Sequence, residues 1–205
     1  MFTMETINTI KKNFEKRGFH FDYFETNEQA VDFILSLIPE KSSIGFGGSM
    51  TVMETGLLDA MQQKDYDLVH RAIRSDIPAT EIYPRMYACD WYVSSANAIT
   101  ETGEIVNIDG RGNRVSAILD GPKKVVILCG VNKIVTDINA GIERTRNVAS
   151  PKNCVRLNKK TPCAVTGKCE NCNSPDTICK ATVILHHPTT STDVYVVVVN
   201  KDLGY

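Results

Sequence analysis

Ser42-Ser-Ile-Gly-Phe-Gly-Gly-Ser-Met-Thr-Val-Met-Glu-Thr-Gly56 is a short apolar run that ends in glycines and gives way to helical spacing. It reads as strand, tight loop, helix. Gly45, Gly47 and Gly48 permit backbone approaches that a Cβ blocks, and Ser49 or Thr51 can cap the free amides of the helix that follows. Such a loop suits an anion, because unpaired N–H groups and the positive end of the helix point at whatever lies above the strand. It is neither a Walker loop, since no Gly-Lys-Ser/Thr follows, nor a full dinucleotide fingerprint, and no flavin motif is evident elsewhere. An ordinary capped strand–helix turn accounts for the same residues, so spacing alone leaves both readings open.

Working upstream, residues 3–17 place Ile7, Ile10 and Phe14 at helical intervals before Gly18, and residues 19–24 alternate as a half-buried strand with His20 on the polar side. A capped helix from Thr26 then runs to Ile38 and stops at Pro39. Downstream, residues 50–63 form one helix with Val52, Met53, Leu57, Leu58 and Met61 inward and Gly56 at a close packing point. Residues 67–70 form a short strand with His70-Arg71 at its end, where a ligand-facing residue can sit, although the pair reads first as surface, and residues 78–89 form a helix with a break at Pro84. Residues 91–99 give one strand, 100–104 a turn with Gly103 left-handed, and 105–108 its hairpin partner. A second polar glycine loop, residues 109–114, precedes a short helix, and residues 123–129 are the clearest buried strand, followed by a helix over 137–148. Strands alternate with helices throughout, which predicts an α/β fold with a mainly parallel sheet. Ligands of such sheets bind beyond the carboxyl ends of the strands, where the two glycine loops lie. The candidate binding residues are Gly47, Gly48, Ser49 and Thr51, with Thr102 and Gly103 at the hairpin and Asp109, Gly110, Asn113 and Arg114 on the second loop.

The 205 residues are 42% hydrophobic and 23% charged, enough for one globular domain over 1–205 with room for a small appendage. With 23 basic against 24 acidic residues the net charge is −1, which removes the electrostatic argument for nucleic acid or a membrane surface. No apolar signal core follows a basic start, so a cytoplasmic protein is expected.

Apolar periodicity disappears over residues 151–180, where Pro, Asn, Lys, Thr, Gly and Cys take over. This insertion cannot order itself by burial, and Cys163-x5-Cys169-x2-Cys172-x6-Cys179 offers a cross-link, with Cys154 as a further partner. Four thiolates around a C-x-x-C suit tetrahedral Zn or an iron–sulfur cluster, although neither common spacing is matched in full and disulfides or free thiols stay open. Residues 181–187 and 193–200 then resume strand patterns, with His186-His187 at a turn.

Residues 47–56, Ala98-Ile-Thr-Glu-Thr-Gly103, Gly110-x-Gly112-Asn113-Arg114, Gly130-Val-Asn-Lys-Ile-Val135 and Asp202-Leu-Gly-Tyr205 together resemble the LUD-domain family, the lactate utilisation proteins formerly called DUF162. The resemblance implies the Rossmann-like α/β/α sandwich shared with glucosamine-6-phosphate deaminases, ribose-5-phosphate isomerases and CoA transferases. It also implies a part in L-lactate oxidation to pyruvate beside a flavin- or iron–sulfur-containing partner subunit. The cysteine segment marks a subgroup and is absent from the plainest members. Two other functions stand beside that one. One is a transferase, isomerase or hydrolase of a phosphorylated or CoA-linked substrate, with Glu101 or Glu54 as the carboxylate; the other is a non-catalytic binding or assembly subunit. Either way the expected ligand is a small anion, and a homo-oligomer stays open.

Overall fold

The computed structural model describes residues 2–78 and 80–205. Its frame is a six-stranded sheet, every strand pair parallel, in the order β1-β10-β7-β4-β2-β3. These strands are β1 (His20–Phe24), β2 (Ser43–Phe46), β3 (Asp67–Val69), β4 (Trp91–Ser94), β7 (Lys124–Gly130) and β10 (Asp193–Val199). The neighbouring inner strands β10 and β7 are apolar on both faces, as a sheet covered on both sides requires. In β10, Val194, Val196 and Val198 face one core while Val197 and Val199 face the other, and β7 divides Val125, Ile127 and Cys129 from Val126 and Leu128 in the same way.

The first core lies under α1 (Met4–Lys16), α5 (Ile82–Tyr87), α6 (Asn113–Asp120) and a second, smaller sheet. That sheet runs β8-β5-β6-β9, built from β5 (Ala98–Thr100), β6 (Ile105–Asp109), β8 (Ile134–Val135) and β9 (Ala181–Leu185). The opposite core lies under α2 (Asn27–Leu37), α3 (Met50–Glu54) and α4 (Leu57–Gln62). The result is the three-layer α/β/α sandwich. Thr26 and Gln29 close a reciprocal capping box on α2, which explains its sharp start. Phe14, Phe19 and Phe21 pack ring to ring and fix α1 on β1.

Several elements differ from the sequence expectation. The helix over 50–63 breaks in two: Gly56 sits at φ +76°, in the left-handed region, and caps α4 with no neighbour within reach of a Cβ, so its role is conformational and not close packing. Met53 is exposed on the short α3. The strand over 91–99 also breaks, since β4 belongs to the large sheet and β5 to the small one, and residues 95–97 cross between them. Pro84 falls in the first turn of α5, where its missing N–H costs no helical bond, so it makes no break. Ala79, inside the helix expected over 78–89, lies outside the described residues.

The helix expected over 137–148 runs further. α7 (Ile138–Arg144) passes through a π-helical turn (Thr145–Ala149) into α8 (Ser150–Arg156), and α9 (Pro162–Thr166) follows. The cysteine segment therefore grows out of a helix and ends in β9, which hydrogen-bonds along β6. The hairpin of β5 and β6 forms as expected, with Gly103 at φ +93°.

Candidate anion-binding cavity

Because the large sheet is parallel, β2, β4 and β7 all end at one edge, and the chain leaving each of them meets the same cavity of about 830 Å³. After β2 comes the loop of Gly48, Ser49, Met50 and Thr51; after β4, Ser95, Ala96 and Asn97; after β7, Lys133. The second glycine loop, with Asp109, Gly110, Asn113 and Arg114, closes from the small sheet. The two loops thus share one pocket.

The floor is Lys133, only 4% exposed. Its ammonium donates to Thr51 Oγ1 at 2.8 Å, Ser95 Oγ at 2.9 Å and the Ala96 carbonyl at 3.1 Å, joining the first loop to the crossover. Burial lowers its pKa to about 8, only partly offset by the nearby Cys129 thiol. At neutral pH it is a buried cation held in place before any ligand arrives. Arg144 braces the same floor, donating to the carbonyls of Asn132 and Asn97 at 2.8 and 2.5 Å.

Basic side chains surround the opening. Arg71 and Arg111 stand on the walls, Arg111 over the Tyr83 ring at 4.1 Å, and Arg156, Lys159 and Lys180 come from the cysteine segment. With Lys133 and Arg114 that makes seven cations against two carboxylates, Asp109 and Asp176, among the described lining residues. A chain of net charge −1 concentrates positive charge here. Helix α3 is five residues long, so the sum of its peptide dipoles is small, and the positive field comes from side chains. His70 also lines the cavity. Burial, and then Arg71, lower its pKa, and its Nδ1 accepts the Ala72 N–H, which leaves the proton of the neutral ring on Nε2.

Not every sequence candidate reaches this pocket. Gly47 is buried against β4, where a Cβ would meet the Ser94 and Tyr92 oxygens, whereas Gly48 opens to the cavity. Ser49 caps α3 through the Val52 N–H. Asp109 acts inward: one oxygen binds Arg114 at 2.7 Å and the other takes the Val115 N–H at 3.1 Å, so the pair neutralises itself and shapes the loop. Glu101, Thr102 and Gly103 sit outside the lining. They belong to a hairpin held on α1, with Asn13 bonding the Glu101 carbonyl and Arg17 bonding the Thr102 carbonyl. The carboxylate at the centre of that hairpin is Glu104, bound by Arg17, Thr100 and Thr102. Burial alone would raise its pKa, but these hydrogen bonds and the guanidinium hold it below the ordinary value. Glu54 is exposed and accepts the Gly204 N–H at 2.6 Å, pinning residues 201–205 over the cavity, where Tyr205 joins the lining.

Sequence reasoning passed over Lys133 and the 95–97 crossover as binding residues, and it read His70-Arg71 as surface although the pair sits at a strand end where a ligand-facing residue can lie. Lys133 lies in the turn after a buried strand and inside the 130–135 stretch that carries the family resemblance, and those two features could have flagged it. Cys163, Cys169, Cys172 and Cys179 come together with Cys154 around a separate cavity of about 60 Å³. All are free thiols, and among the described residues no three His, Cys, Asp or Glu side chains stand close enough to share a single metal ion.

A profile of the LUD domain matches residues 7–199. The chain belongs to the LUD-domain family. A DUF162 family protein from Deinococcus radiodurans, solved as a crystal structure, shares the fold at 15% identity with a TM-score of 0.54, over 95% of this chain and 96% of that one. Ribose 5-phosphate isomerase A from Neisseria gonorrhoeae overlaps more loosely, at 20% identity and a TM-score of 0.34, over 55% and 52% of the two chains. No curated protein matches the sequence. Among the described residues no helix is long and apolar enough to cross a membrane.

Proposed function

We infer that this LUD-domain protein binds a small molecule carrying more than one negative charge, phosphorylated or CoA-linked, and acts on it as a transferase, isomerase or hydrolase. The supporting observation is Lys133, a buried ammonium at the base of a cavity lined by seven cations and two carboxylates. A fixed cation in a partly dry site stabilises charge developing on a bound group without reorganising at the moment of reaction. Arg111, Lys159 and Lys180 then hold the outer charges of the ligand, and neutral His70 offers its Nε2–H as a proton donor at the wall. The volume of about 830 Å³ exceeds what a three-carbon acid fills.

Membership of the family favours a second reading, in which the protein is a component of L-lactate or other 2-hydroxy acid oxidation with redox partner subunits. A third reading has the same cavity bind its ligand without turnover. Calorimetric titration separates them. On the first reading pyrophosphate, a sugar phosphate or CoA binds measurably and L-lactate does not. Lactate-dependent dye reduction together with absent binding of the multiply charged ligands would support the second and overturn the first. Binding of the charged ligands without any turnover of them leaves the third.

A further inference from the structure

We propose that the thiol-lined cavity holds an iron–sulfur cluster ligated by Cys163, Cys169, Cys172 and Cys179, and that loading it orders the basic wall of the anion-binding cavity. The first part stands on the cysteine segment alone. Five thiols line one void of about 60 Å³, several times the roughly 10–15 Å³ that a single water occupies on that kind of measure. A mononuclear zinc site draws its sulfurs to about 2.3 Å from the metal and closes on itself. These thiols instead surround a space. A polynuclear cluster with four thiolates fills such a space.

The turn between Cys169 and Cys172 is already built for ligation. Asn171 sits at φ +45°, and its N–H donates to Cys169 Sγ at 3.4 Å, which fixes that sulfur towards the void. Arg146 lines the void and offsets the negative charge of a thiolate-ligated cluster. Cys154, on α8 and 1% exposed, backs the cavity; its place on a helix that forms without any cross-link leaves ligation to the four cysteines that follow.

The second part rests on the anion-binding reading of the larger cavity. Ser150 and Thr177 line both cavities, so one wall separates them. Lys159, Asp176 and Lys180 stand on the cysteine segment, and Gly110 of the second glycine loop packs against Ile178, where a Cβ would lie 3.0 Å from the Ile178 Cα. The segment carries little apolar surface of its own; Val165 is 89% exposed. Helix α8 forms without a cross-link, so what ligation orders is the stretch beyond it, and the wall that carries Lys159, Asp176 and Lys180 depends on that order. On ligation each of the four thiols releases its proton to solvent; taking up a cluster that is already assembled changes no oxidation state, because the thiolates only replace its previous ligands.

Protein purified without air, or reconstituted with ferric iron and sulfide under a thiol reductant that supplies the electrons for any ferrous iron of the cluster, should be brown and contain iron and acid-labile sulfide in equal amounts. The double substitution Cys169→Ser with Cys172→Ser should lose both, while Cys154→Ala should keep them. One equivalent of zinc with no bound sulfide overturns the cluster, and loss of iron in Cys154→Ala with retention in the double variant overturns the ligand set. Pyrophosphate should then bind at least tenfold more tightly to loaded than to cluster-free protein, and limited proteolysis within 151–180 should follow the same order. Equal affinity in the two forms overturns the linkage and leaves the cluster. Failure of pyrophosphate to bind either form overturns the anion reading and the linkage with it, while the iron and sulfide content still decides the cluster.

Discussion

Lys133 has two pH dependences of opposite sign. Its folded pKa is lowered to about 8 from 10.5, so between those values the unfolded chain holds the extra proton and stability rises with pH through this group. Anion binding does the reverse, because the ammonium is lost as pH rises through about 8. Sulfate, which does not itself titrate there, should bind progressively more weakly across that range, and a flat profile would remove Lys133 from the site. Lys133→Met should reduce anion affinity about 10- to 100-fold, from the loss of about 1.5–3 kcal/mol of charge-assisted hydrogen bonding. Thermal stability at neutral pH should hold or rise, since an apolar chain avoids the cost of burying a charge. Glu104 behaves in the opposite way. Its folded pKa is depressed, so its contribution is present above the unfolded value and disappears as pH falls through the folded one. Glu104→Gln should cost about 1–3 kcal/mol in urea unfolding and leave sulfate binding unchanged, because the carboxylate serves the hairpin and not the cavity.

At the scale of elements, the glycine loop, the buried strands and the hairpin were legible because local patterns cause them. Val194 to Val199 can only be a strand covered on both faces, and Gly103 has only a turn to serve. The breaks were not legible. Residues 50–63 keep helical spacing across Gly56, and only the left-handed backbone there shows that α4 starts in a new direction. Gly56→Ala should cost about 1–2 kcal/mol for that conformation, read as a lower urea midpoint with an unchanged slope. Residues 91–99 are likewise uniformly strand-forming, and tertiary pairing with two different sheets divides them at Ser95. Gly110 is the joint between the second loop and the cysteine segment. Gly110→Val should collide with the Ile178 backbone, expose the neighbourhood of residues 174–180 to protease and weaken anion binding, while the far-ultraviolet circular dichroism of the main sheet persists.

Over the whole molecule, the cavity is assembled from parts that no single stretch of sequence announces. Its cations come from the end of β3, the loop before α6, the turn after β7 and the cysteine segment, and a net charge of −1 hides their convergence. The rule that parallel strands send their carboxyl ends to one edge placed the first glycine loop, but the second follows β6 of the small sheet and reaches the same pocket by a route that the rule does not cover. The choice of Glu101 and Glu54 was not supported by their placement, since a carboxylate beside a turn looks the same in sequence whether it faces a pocket or pins a neighbouring segment. The measurement that tests the central claim most directly is a crystal structure of the protein with pyrophosphate. The ligand should lie in the cavity within hydrogen-bonding reach of Lys133 or the 48–51 backbone, with Lys159 or Lys180 on its outer oxygens. Pyrophosphate bound only outside that cavity, or a cavity that stays free of it at saturating concentration, would contradict the account.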